Sequence, residues 1–254
     1  MKSPLIIALI CASAAVAVVA FARSHGAEDT SGKSSPAANP GATGSGSIAG
    51  LVTYRGPALA PPRATTFAPE CGKVSPPPPF DADHVAGAFV WIEQGLPPGN
   101  YPVPAQPVEL DQRGCEYSPR VFGIRAGQSL LIVNNDALLH NVHALGEGAG
   151  LLGGGGNAFN VAMPVQGMKV TRRFDKEQIP VTITCDVHPW MRAYAAVVDT
   201  PFFAVTGADG SFRIGGLPAG NYLVGVWQER LGKSEGRIAV AGGQGAKLDL
   251  AFVR

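Results

Sequence analysis

Little of this chain is charged. Asp, Glu, Lys and Arg make up 15% of its 254 residues, the net charge is +1, and the Lys and Arg residues form no cluster. That leaves no electrostatic footprint for a nucleic acid. Long amphipathic helices are missing too. The 33 Gly and 22 Pro are a load that long helices tolerate poorly and that turn-rich β structure uses. No Ser-His-Asp or paired-carboxylate pattern stands out. The Gly-rich run GEGAGLLGGGGNAF (146–159) has neither the Lys-Ser/Thr nor the following helix of a phosphate loop, so it reads as a loop between strands. Cysteine is scarce, with four in all. What the chain does have is apolar side chains, at 46%, ample for a buried core in one or two domains.

The first 22 residues read as an export signal. Lys2 precedes the apolar run PLIIALICASAAVAVVAFA, and Ala20-Phe21-Ala22 offers a small-x-small cleavage site. The run is also nearly long enough to remain as a membrane anchor. Cys11 follows the bulky Ile10, which argues against lipidation. Removing the signal takes Lys2 with it and brings the charge to 0. Residues 23–46 are small, polar and rich in Pro, Gly and Ser. Such a segment reads as a flexible linker with His25 a bystander in it, because it cannot bury enough apolar surface to offset its ordering entropy.

Short β-like runs then alternate with turn signals: 47–54, 87–93, 107–110, 129–135, 181–185, 193–199, 202–207, 211–214, 221–227 and 247–253. The class is all-β, as sandwiches. Asp209-Gly210 between two runs predicts a hairpin. GLPPGNY (95–101) and GLPAGNY (216–222) nearly repeat, but their flanks differ, which indicates two similar turns and no duplicated domain.

CDVHPWM (185–191) collects Cys185, His188 and Met191 at intervals of three, and NNDALLHNVHAL (134–145) supplies His140 and His143. Two imidazoles and a thiolate in a trigonal plane, with a weak axial Met, hold copper in both oxidation states. Here the chain resembles the cupredoxins, most of all the amicyanin type, over residues 104–199. The resemblance rests on CEYSPRVFGIRAGQSLLIVNN, on HNVH, expected on a loop, and on a closing Cys-x-x-His-x-x-Met hairpin. It implies the metal ligands His140, Cys185, His188 and Met191. It also implies that Asn141 braces the ligand loop beside the Cys, that Val187 and Trp190 shield the metal, and that the ligand His nearer the surface is the electron exit. Leu139 stands where many members have Pro. His143 falls on the opposite face of a strand from His140 and is expected to be no ligand. Cleavage of the signal also removes Cys11; with Cys185 on the metal, the remaining Cys71 and Cys115 are expected to form a disulfide, as an exported chain favours, the alternative being two reduced, buried thiols.

The C-terminal VTGADGSFRIGGLPAGNYLVGVWQERLG resembles the carboxypeptidase regulatory-like, or transthyretin-like, sandwich, and GLVTYRGPALAPP (50–62) and GAFVWIE (87–93) resemble its first strands. The expected architecture is one sandwich from 47–103 plus 200–254 with the cupredoxin domain, 104–199, inserted; two consecutive domains are the alternative. The disulfide would then staple host to insert. Trp91, Trp227 and Tyr222 belong to its core or to an aromatic binding face. The resemblances imply an exported, periplasmic or extracellular, copper protein. It would pass single electrons to a protein redox partner, with no turnover chemistry, no nucleic acid and no stable membrane insertion once the signal is cleaved. A β-sandwich binding module for glycans or proteins with a vestigial metal site is the rival. An oxidoreductase with an open copper position, should His143 swing in, is a third possibility.

Overall fold

The computed structural model describes residues 44–60, 69–72, 74, 81–146 and 159–254. The expected signal peptide, most of the linker and most of the Gly-rich run lie outside the described residues.

The described residues are all-β, with a single 3-10 turn at Pro69–Cys71. The strands are β1 (Gly46–Arg55), β2 (Phe89–Gln94), β3 (Val108–Arg113), β4 (Glu116–Ser118), β5 (Val121–Arg125) and β6 (Ser129–Asn134). Then come β7 (His140–Leu145), β8 (Phe159–Met163), β9 (Lys169–Arg173), β10 (Gln178–Thr184), β11 (Arg192–Val198) and β12 (Phe203–Val205). The last are β13 (Ser211–Leu217), β14 (Gly220–Gln228), β15 (Gly232–Val240), β16 (Gly245–Lys247) and β17 (Leu250–Val253). They form four sheets: β13-β1-β16 with β17 also on β1, β12-β2-β14-β15, β5-β11-β10-β7-β8, and β4-β3-β6-β9. The last two sheets draw every strand from Val108–Val198, and the first two draw from both sides of that run.

The four sheets stack in layers, because three apolar clusters lie between them. Ile48, Val52, Val90, Ile92, Val224 and Phe252 fill the space between the β1 and β2 sheets. Leu110, Ile132, Val142, Ile183, Ala195 and Val197 fill the space between the β3 and β11 sheets. Phe89, Trp91, Ala196 and Val198 join the two pairs back to back. This explains why β2 and β11 read as continuous apolar runs: alternate side chains enter different cores, and both faces are covered. Close approach at the junction depends on missing side chains. A Cβ on Gly123 would come within 2.3 Å of the Phe203 ring and 2.8 Å of the Phe89 ring.

Two crossing segments link the pairs, and Arg125 on β5 ties both down. Its guanidinium donates to the carbonyls of Tyr101 (2.8 Å), Pro102 (3.3 Å) and Asp199 (2.5 Å).

Several expectations change. The Asp209-Gly210 turn forms, with Gly210 at φ 73°. It is not a hairpin, since β12 pairs with β2 while β13 pairs with β1, so the turn carries the chain from one sheet to the other. The apolar run 247–253 is broken at Leu248 and Asp249, where the Asp249 carboxylate accepts the Leu51 N–H (3.0 Å). HNVH opens a strand, β7, rather than a loop. Trp91 and Tyr222 are buried, and Trp227 packs at the junction against Tyr194, with ring centroids 5.2 Å apart. These three form no common exposed aromatic face. The two near-repeats are alike in detail: in each, the first Gly has positive φ. In each, too, the Tyr hydroxyl donates to the carbonyl of the Pro four residues back, Tyr101 to Pro97 (2.9 Å) and Tyr222 to Pro218 (2.7 Å).

Candidate metal centre

The first residue of β7 and the turn between β10 and β11 carry the candidate ligands at one end of the β3–β11 pair of sheets. Cys185 follows directly on β10, and the chain closes a tight turn before β11. The Met191 N–H donates to the His188 carbonyl (2.9 Å), and the Cys185 N–H donates to the Met191 carbonyl (3.3 Å). This ring of backbone bonds puts Cys185, His188 and Met191 on one tight turn. His140 begins β7, which pairs with β10 so that His143 lies opposite Thr184.

The structure brings three of the four expected ligands together by their donor atoms. His140 Nδ1 and His188 Nδ1 are 2.9 Å apart, and Cys185 Sγ is 3.8 Å from His188 Nδ1. All three donors lie within 4.8 Å of one another. Met191 is fully buried in the same apolar cluster as Cys185. His143 lies outside the cluster and meets Asp186 instead, Nδ1 to Oδ1 3.0 Å.

Asp136, which sequence reasoning did not single out, orients His140. Its Oδ2 meets His140 Nε2 at 2.9 Å and accepts the Cys115 N–H (2.9 Å), while Oδ1 accepts the Gly114 N–H (2.7 Å). With the proton on Nε2 facing a carboxylate, the inward Nδ1 keeps a free lone pair. The only signal for this in the sequence is an acidic residue four positions before His140 in NNDALLH. Tyr117 fastens the two ligand-bearing strands to each other, its one hydroxyl proton shared between the Asn141 carbonyl (2.5 Å) and the Thr184 carbonyl (3.1 Å). Asn141 does sit beside the Cys: its Oδ1 accepts the Asp186 N–H (2.7 Å), and its Nδ2 donates to Asp186 Oδ2 and Asn160 Oδ1 (2.8 Å each).

The electrostatics ease deprotonation of Cys185. Burial pushes the Cys185 thiol up, but the His140 ring and the backbone N–H groups of Asn141, His188 and Val187 outweigh it, and the net shift is down. For His140, burial pushes the pKa down, while Cys185 and Asp136 pull it up, and the pull prevails. His188 is lowered by burial and by its neighbour His140.

Cover over the centre differs from expectation. His140 is 0% exposed and His188 3%, so both are buried and His188 is the nearer to the surface. Val187 is 46% exposed. Trp190 does pack there, its ring 5.2 Å from His188, and its indole N–H donates to the Cys115 carbonyl (3.1 Å). Cys71 and Cys115 are disulfide-bonded. Their sulfurs lie within 4.8 Å of a His188 ring nitrogen, so the bond itself covers this histidine.

No family model matches the chain, and no curated protein is similar to it. Solved structures that resemble part of it are cupredoxins. A Cu(I) amicyanin variant is 21% identical, over 43% of this chain and 98% of its own, at a TM-score of 0.31. A purple cupredoxin from Nitrosopumilus maritimus is 20% identical, over 36% of this chain and 99% of its own, at 0.29. A Cu-containing nitrite reductase from Thermus scotoductus is 20% identical, over 41% of this chain but 25% of its own, at 0.32.

The donor set suits a soft, redox-active ion. Bonds of about 2.0–2.3 Å allow two donors on one ion to stand no more than about 4.6 Å apart, and the 2.9 Å and 3.8 Å separations here fall inside that limit. One thiolate, two imidazoles and a nearby thioether are the ligand types that hold copper in both oxidation states.

Proposed function

We propose that this chain is a copper-binding electron carrier, with the ion held by His140, Cys185 and His188 and by Met191 as a weak axial donor. The observation that carries this reading is the convergence of one thiol sulfur and two imidazole nitrogens within 4.8 Å at a buried point. Bound copper would supply a one-electron redox couple. The chain's own part is to keep the site rigid and dry. Asp136 holds the His140 ring, Asn141 and Tyr117 lock the two ligand-bearing strands, and Trp190 and the Cys71–Cys115 bond exclude water from His188. A fixed donor set lets an electron pass with little rearrangement.

We assign the chain no turnover chemistry; the electron goes to a protein redox partner. The other pair of sheets we read as a carboxypeptidase regulatory-like sandwich that positions the copper domain. The N-terminal residues we read as an export signal, which places the protein in the periplasm or outside the cell. Among the described residues no helix is long and apolar enough to cross a membrane.

Copper reconstitution tests the reading. The loaded protein should show intense visible thiolate-to-copper absorption, and Cys185→Ser should abolish it while leaving the fold intact. A copper-loaded protein without that band, or a Cys185→Ser spectrum that matches the wild type, refutes the ligand assignment.

A further inference from the structure

The Cys71–Cys115 disulfide has a second relationship to the centre besides covering it. Both sulfurs and a ring nitrogen of His188 fall within 4.8 Å of one another. We propose that reducing this disulfide creates a second soft-metal position, Cys71–Cys115–His188, which takes copper(I). The position shares His188 with the first but needs neither Cys185 nor His140.

The step balances with a dithiol as reductant. Its two thiols supply two electrons and two protons, the Cys71–Cys115 S–S bond breaks, and the reductant leaves as its own disulfide. A copper(I) ion then displaces the thiol protons and accepts the lone pair of the His188 nitrogen. Two thiolates and an imidazole are a donor set that selects copper(I).

The geometry keeps the thiol pair in place after the bond is cut. Cys115 has anchors besides the disulfide. Its N–H donates to Asp136 (2.9 Å), its carbonyl accepts the Trp190 indole N–H (3.1 Å), and its backbone sits in a left-handed turn at φ 56°. Cys115 and His188 are buried, and Cys71 and Val74 pack against the same apolar cluster. Cys71 closes the 3-10 turn, in which the Gly72 N–H donates to the Pro69 carbonyl (3.1 Å). Once reduced, the two thiols therefore face His188 from a partly assembled and water-poor pocket. The chain then holds a soft ion in one of two adjoining positions, and the redox state of a disulfide decides whether the second exists.

The test uses the full chain carrying Cys185→Ser, which removes the thiolate of the first position and separates this proposal from the reading above. Copper(I) is added without oxygen and competed with a chromophoric copper(I) chelator. With the disulfide intact, the variant should yield its copper to the chelator. After dithiol treatment and removal of the reductant, the same protein should retain one further equivalent. A Cys185→Ser/Cys71→Ser protein, treated identically, should lose that equivalent, and so should Cys185→Ser/His188→Ala. No gain on reduction overturns the proposal. An equal gain in the Cys71→Ser protein shows that the pair is not the site. An equal gain in the His188→Ala protein shows thiols binding without the pocket, which also overturns it.

Discussion

Removing the disulfide should destabilise the protein mainly through its unfolded state. The bond joins cysteines 44 residues apart. The chain-entropy relation for a closed loop of that length gives about 13 cal/mol/K of lost unfolded-state entropy, or about 4 kcal/mol at 25 °C. The native state should lose little besides, since Cys115 keeps its bonds to Asp136 and Trp190 without the sulfur link. Cys71→Ser/Cys115→Ser is the perturbation, and urea unfolding followed by fluorescence is the assay. With an m-value of about 3 kcal/mol/M, the midpoint should fall by about 1.3 M. The m-value should rise slightly, because the unlinked chain expands further when unfolded. A midpoint within about 0.3 M of the wild type, on the same m-value scale, would refute the reasoning. The loop would then have to be constrained in the unfolded state by something else.

Gly123→Ala should destabilise the fold by about 1–3 kcal/mol through overpacking and so lower the thermal midpoint, because the added Cβ meets the Phe203 and Phe89 rings at 2.3 Å and 2.8 Å; an unchanged midpoint would mean that the junction is loose. Asp249 is held below the usual carboxylate range by the Lys247 side chain and the Leu51 N–H. Its stabilisation is therefore present above the unfolded pKa and lost as pH falls through the folded one. Asp249→Asn should cost under about 1 kcal/mol at pH 7, as expected for an exposed pair, and nothing at pH 2, and melting curves at both values check this. For Met191, Gln in its place offers a hard oxygen that favours Cu(II) and should lower the reduction potential, while Leu removes the donor and should raise it. Voltammetry showing all three proteins alike would remove Met191 from the ligand set.

Some of this protein is a local property of its sequence. The all-β class follows from the Gly and Pro load and from short apolar runs, and most of those runs are strands within a residue or two. Cys-x-x-His-x-x-Met brings three donors onto one turn because seven residues suffice to close it. The pairing of Cys71 with Cys115 follows from counting thiols once Cys185 and Cys11, in the expected signal, are set aside. The near-repeats form matching turns because Gly, Pro and Tyr at fixed offsets make the same local hydrogen bond.

Other features depended on contacts between distant segments. β8, β9 and β15 were not legible, since strands such as KVTRR and GKSEGRIAV are polar and take their form from the neighbour they pair with. The Asp209-Gly210 turn looks like a hairpin locally, and only the packing of two sheets sends its strands apart. Asp136 looks like an ordinary loop carboxylate until folding sets it between His140 and the Cys115 turn. The burial of His188 has the same origin. Its exposure depends on a cysteine more than a hundred residues earlier in the chain, which the disulfide draws over its ring. Sequence spacing determines which donors share a turn, whereas the cover over them and the charges around them belong to surfaces that exist only once the four sheets have stacked.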